Sequence, residues 1–197
     1  MKLYLVQHAE ALGKEQNPRR VLSQKGHTDA VKMAAFLFKA DVIVDEIVHS
    51  GKVRAEETAN VLSKTVWPGK AAVRMDGLGP GDSTDHLVHA AEAAGGDLMA
   101  VGHLPFMAKM AARCLTGRED GAAVAFEPGT VVCLERLEMT LGRSIGCKGR
   151  GCWARSRLRA RYLGRLDALP VRTPTIAPIP VLKPQSKSPT ACFCAVV

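Results

Sequence analysis

No apolar run in this 197-residue chain approaches the roughly 18 residues that a membrane-spanning helix needs, which excludes such a span. The first ten residues reach His8 and Glu10 before a secretory leader could assemble its roughly 7–15 apolar residues. A cytoplasmic protein is therefore expected, and its six Cys default to reduced thiols. Acidic residues are almost missing from one stretch. Residues 139–197 carry eleven Lys and Arg against the single Asp167, a net charge of +10, whereas residues 1–138 net −2. The overall +8 thus belongs to a tail, and nucleic-acid binding by the whole chain does not follow from it. No His follows His103, and four of the six Cys lie beyond residue 138. Two compositions in one chain imply a boundary near residue 139, with one domain over 1–138.

Within 1–138, short apolar runs alternate with helical spacing. Residues 2–7 read as a strand, rich in β-branched and aromatic residues. Residues 13–24 are polar and contain Asn17-Pro18, a loop. Residues 25–39 recur apolar at Val31, Ala34, Ala35 and Leu37, a helical period. Further strands are expected at 47–49, 71–75, 98–102 and 130–137, with helices at 52–64, 84–94 and 105–115. This alternation implies βαβ units, hence an α/β three-layer sandwich with a mostly parallel central sheet flanked by helices. Such sheets bind ligands beyond the carboxyl ends of their strands. His8, Ser50 and His103 each follow a strand, and Arg54 lies one turn into the next helix.

Each of these residues alone has a plainer reading. A His after a strand usually caps or packs, and an Arg on a helix is usually solvated. Together their chemistry is coherent. A neutral imidazole is a nucleophile toward phosphorus. A second imidazole and a guanidinium can hold phosphoryl oxygens, and helix N-termini offer N–H groups to the same anion.

Four stretches resemble motifs of the histidine phosphatase superfamily. "LYLVQHAEA" (3–11) is similar to its signature strand, and "RRVLSQKG" (19–26) to a loop that supplies an arginine. "SGKVRAEETA" (50–59) resembles its second arginine motif, and "VGHLPFM" (101–107) its second histidine motif. The spacing, and the lack of a long insertion between Arg54 and His103, resemble the small SixA-type branch of phosphohistidine phosphatases. The resemblance implies that His8 is the nucleophile and becomes a phosphohistidine intermediate. It implies that Arg54 and His103 clamp the phosphoryl group, and that Gln7 and Arg20 bind phosphate. Ser50 shapes the loop. No metal or organic cofactor is implied, and the expected partner is a phosphohistidine-containing protein, without membrane or nucleic acid.

Two positions depart from the usual Arg-His-Gly: Gln7 and Ala9. Gln offers two donors and no charge where arginine offers five and a permanent one. One lost charged hydrogen bond costs roughly 1.5–3 kcal/mol, or about 10- to 100-fold in rate. Ala9 would be strained if its position required a positive φ. Two alternatives follow: a small phosphate-ester phosphatase, and a non-catalytic phospho-ligand-binding module. Ester hydrolysis needs an acid for the alkoxide leaving group. Asp82, Asp85 and Glu10 are candidates, yet none sits in a recognisable donor motif, which favours phosphohistidine. His86 and His89, three apart on a helix, read as a solvated face rather than a metal pair.

The tail, 139–197, is basic, then Pro-rich, and reads as disordered. Trp153 and Tyr162 interleave its charges without forming a nucleic-acid motif. Cys147 and Cys152 lack a matching second pair of metal ligands; Cys192 and Cys194 are too close together and too remote. The final Cys194-Ala-Val-Val is a superficial prenylation box. The abrupt gain of Arg, Gly, Ala, Pro and Cys with loss of acids is the pattern of a frameshifted GC-rich gene.

Overall fold

The computed structural model describes residues 1–120, 124–137 and 157–162, the last as backbone. The elements are β1 (Lys2–Gln7), α1 (Gln24–Lys39), β2 (Glu46–His49), α2 (Val53–Val66), β3 (Val73–Arg74), α3 (Asp85–Ala94), β4 (Leu98–Gly102), α4 (Phe106–Thr116), β5 (Val131–Leu137) and β6 (Arg157–Tyr162). They form one sheet in the order β3-β2-β4-β1-β5-β6. β1, β2, β3 and β4 run parallel, while β5 is antiparallel to β1 and β6 to β5.

The alternation of side chains along each strand builds two cores. Leu3, Leu5, Leu98, Ala100, Val132 and Leu134 pack with Leu87, Val88, Ala91, Phe106, Met107 and Met110 of α3 and α4. The intervening Tyr4, Val6, Ile47, Met99, Val101 and Val131 pack with Met33, Leu37, Ala55, Ala59 and Leu62 of α1 and α2. Apolar residues two apart on the strands and three or four apart on the helices thus give the expected three layers.

β1 and β4 lie side by side, with Gln7 opposite Gly102. Their exits are therefore adjacent, which brings His8 and His103 to one edge. The antiparallel β5 returns the chain to that same edge. Gly129 N–H donates to the carbonyls of Gln7 and His8, both at 3.2 Å.

Two elements differ from the sequence expectation. The strand expected at 71–75 is confined to Val73–Arg74, both exposed at the sheet edge. β6 lies within the stretch that composition marks as tail, and pairs with β5 from Leu137–Arg157 to Val132–Tyr162. Arg157, Arg159 and Arg161 alternate there with Leu158, Ala160 and Tyr162. That two-residue period is a strand signal, which the charge excess obscured. The rest of the tail, with Cys147, Cys152, Cys192, Cys194 and the frameshift reading, lies outside the described residues. No helix of the described residues is long and apolar enough to cross a membrane.

Candidate functional site

His8 is half-buried at the exit of β1, and both ring nitrogens have partners. Nδ1 lies 2.7 Å from the Ala9 carbonyl oxygen, which only accepts, so Nδ1 carries the proton. Arg54 Nε–H donates to Nε2 at 3.0 Å, so Nε2 carries the lone pair. The two bonds select one neutral tautomer and aim the nucleophilic nitrogen at a cation. Burial, followed by the charges of Arg54, Arg20 and Lys52, outweighs the Ala9 carbonyl and brings the His8 pKa down to about 4.

His103 follows β4 and is buried. Its ring centroid stands 4.9 Å from that of His8, with the planes tilted by 60°. Its Nε2 lies 2.6 Å from Ser50 Oγ, which leaves Nδ1 buried and without a partner among the described residues. Burial first, then His8, Arg54, Lys52 and Arg20, bring its pKa down to about 3. Both imidazoles are therefore neutral at pH 7.

Thr58 couples the signature strand to α2. Its hydroxyl accepts from Ala9 N–H at 3.0 Å and donates to the Arg54 carbonyl at 2.7 Å. Ala9 is fully buried, and its φ is outside the left-handed region, so the strain foreseen for a non-glycine residue there is not present. Arg20 does adopt a left-handed φ of 53°, a conformation uncommon outside glycine and frequent at functional sites. Arg20 N–H bonds the Asn17 carbonyl at 2.9 Å, and its Nε reaches the Leu12 carbonyl at 3.4 Å. Glu57 holds the same loop through Leu22 N–H at 2.7 Å. Gly26 lets α1 start against this loop, since a Cβ there would stand 2.0 Å from the Glu10 carbonyl oxygen.

Gln7 is buried at the same edge, and its Oε1 has no partner among the described residues. The carboxylates weighed as acids are otherwise engaged. Asp85 is ion-paired with Arg113 at 2.7 Å, and that guanidinium holds its carboxyl below the usual range. Glu10 accepts from Ser23 Oγ at 2.9 Å and lies 3.5 Å from Lys25. Asp82 accepts from Gly79 N–H at 2.7 Å, and its charge reaches Lys52. His86 and His89 are both exposed on α3.

The structure thus brings together His8, Arg54, His103 and Ser50, with Gln7 and Arg20 at the same edge. Sequence reasoning missed Lys52 and Thr58. The "T" of "RAEETA" is a signal for Thr58, because four residues after Arg54 lies one helical turn on. The fold, a mostly parallel sheet with these side chains at its strand exits, is shared with solved protein histidine phosphatases and other phosphatases. The protein histidine phosphatase SixA, solved with tungstate, is similar at 19% identity over 69% of this chain and 88% of that one, with a TM-score of 0.60. A protein described as phosphohistidine phosphatase SixA from Agrobacterium tumefaciens is 21% identical over 68% and 91%, with a TM-score of 0.56. A mycobacterial glucosyl-3-phosphoglycerate phosphatase is 17% identical over 81% and 96%, with a TM-score of 0.54. No protein-family model and no curated protein matches the sequence.

Proposed function

We propose that this chain is a phosphatase that passes a phosphoryl group through His8, with phosphohistidine proteins as its substrates. The observation that carries the reading is the pair of hydrogen bonds at His8, from Nδ1–H to Ala9 and from Arg54 to Nε2. In the first step the His8 Nε2 lone pair attacks phosphorus. The substrate's P–N bond breaks, and its electron pair leaves on the departing imidazole, which takes a proton from water. Arg54 turns its donors from Nε2 to the phosphoryl oxygens, beside His103 and Arg20. Water then attacks phosphorus and gives its proton to the hydroxide left by the first step, the P–Nε2 bond breaks with its electron pair returning to Nε2, and inorganic phosphate leaves with neutral His8 restored.

The state of the carboxylates supports phosphohistidine over an ester. Asp85 and Glu10 are held by Arg113, Ser23 and Lys25, and an imidazole leaving group needs less acid assistance than an alkoxide. Asp82 supports the second reading, a phosphate-ester phosphatase, because its charge acts on Lys52 at the site. The uncharged Gln7 supports the third, a binding module without turnover. Cys114 and Cys133 are buried and form no disulfide among the described residues, which suits a reducing cytoplasm.

The test is phosphate release from a histidine-phosphorylated protein, beside p-nitrophenyl phosphate and a His8→Ala control. Release from the phosphohistidine protein that disappears in the control is the expected result. Release from the ester alone selects the second reading. Tungstate binding without release from either compound selects the third.

A further inference from the structure

Three cations converge on this edge, Arg20, Lys52 and Arg54, and none forms an ion pair with a carboxylate of the described residues. Lys52 is the least expected. It is the N-cap of α2, where its side chain makes no capping bond. A cation there opposes the positive end of the helix dipole, and Ser, Thr, Asp or Asn is the usual choice. Arg54, in the first turn, adds a second opposing cation. Glu56 lies in the same turn and the Asp82 charge reaches Lys52, yet neither forms an ion pair with it, and two cations in three residues at a helix N-terminus point to a compensating gain elsewhere.

The backbone shows where that gain lies. Residues 50–54 form an arc that touches both imidazoles: Ser50 bonds His103 Nε2 at 2.6 Å and Arg54 bonds His8 Nε2 at 3.0 Å. Lys52 is the middle residue of this arc. The arc is held at both sides of it. Gly51 turns with φ of 75° and donates its N–H to His49 Nδ1 at 3.2 Å. The Lys52 carbonyl accepts from Ala55 N–H at 2.8 Å and Glu56 N–H at 3.0 Å. The Lys52 charge acts on His8 and on His103, ahead of Arg20 on the latter. At this edge His103 Nδ1 and Gln7 Oε1 are buried without a hydrogen-bond partner among the described residues.

Building on the phosphatase reading, we infer that Lys52 is a phosphoryl-binding residue, supplying the positive charge that Gln7 at the β1 exit does not carry. Its ammonium contacts a non-bridging oxygen of the bound phosphoryl group. That anion relieves the repulsion among Lys52, Arg54 and the α2 N-terminus. The pocket then meets a dianionic phosphoryl group with three cations and two neutral imidazoles.

Tungstate, a phosphate-shaped dianion, is the probe, titrated calorimetrically into the full-length chain at pH 7 and at two salt concentrations. Lys52→Met is expected to weaken tungstate binding about tenfold, the effect of one charge-assisted contact of about 1.4 kcal/mol. It is also expected to flatten the salt dependence, because one fewer cation faces the anion. Lys52→Arg is expected to keep the affinity within about threefold, and Lys52→Met to melt no lower than the parent. Tungstate affinity that Lys52→Met leaves unchanged overturns the role of Lys52 alone. A parent chain that binds no tungstate overturns both this inference and the phosphatase reading. Binding that depends on Lys52 without any turnover upholds the inference and rejects the phosphatase.

Discussion

The exits of β1 and β4 are two versions of one device. Each is a parallel strand, buried to its last residue, followed at once by a histidine, and the strands are direct neighbours. Their histidines nevertheless have different environments. His8 is half-buried and partnered at both nitrogens, with its lone pair facing Arg54. His103 is buried, anchored by Ser50 at one nitrogen and without a partner at the other among the described residues. A half-buried, oriented lone pair suits a nucleophile, and a buried, tethered ring suits a support that holds an anion. Strand position alone does not separate these roles; the neighbours from α2 and its preceding loop do.

The comparison is broken most severely by truncating each ring. His8→Ala is expected to lower phosphate release by about 10³-fold or more, with tungstate binding retained, since the nucleophile is lost and the cations remain. His103→Ala is expected to cost about 10²-fold, the effect of one lost charge-stabilising donor. Equal losses from the two variants in steady-state assays would remove the proposed division of labour.

Ser50→Ala tests the anchor. It leaves His103 Nε2 without its hydroxyl partner and is expected to lower kcat/KM about tenfold, from roughly 1.4 kcal/mol. Unchanged kcat/KM would show that packing alone positions His103.

The pH profile sharpens the contrast further. His8, with a pKa near 4, is expected to keep its lone pair from about pH 5 upward, so kcat/KM falls only below that range. For stability, both rings bind protons more readily in the unfolded chain, where the ordinary pKa is 6.5, than in the folded one. Their contribution is therefore complete above about pH 6.5 and is lost as pH falls through about 4 and 3. Chemical denaturation across that window is expected to show stability rising with pH, and a falling trend would contradict neutral buried rings.

Thr58→Val is expected to have the smallest effect on phosphate release, since it acts on the fold. It leaves Ala9 N–H buried without an acceptor and should destabilise the fold by about 1–3 kcal/mol. Thermal melting checks it, and an unchanged melting temperature would show that the clasp between β1 and α2 is redundant.

The residues differ in how far the sequence exposed them. His8 and His103 were legible because an apolar strand that ends on an imidazole is a local pattern. Arg54 was legible because its spacing from β2 puts it in the first turn of a helix. Lys52 was hidden, since a lysine beside a glycine reads as solvated surface until the arc around it is seen. Thr58 was hidden because its partner, Ala9, lies 49 residues away. β6 was hidden by its arginines, although its two-residue period was present. Ala9 illustrates the reverse: the sequence suggested strain, and the backbone avoids it.

By itself, the sequence determined the alternation of strands and helices, the two apolar faces of each strand and the placement of four candidate residues at strand exits. These follow from periodicity, which is a property of neighbours along the chain. Only the tertiary structure decided that β4 lies beside β1 and that β5 runs antiparallel, with Gly129 returning to the site. It alone selected the His8 tautomer and set Lys52 beside Arg20 and Arg54 with no ion-paired carboxylate among the described residues. Those outcomes depend on hydrogen bonds and fields between segments far apart in sequence, and they exist only once the layers have packed.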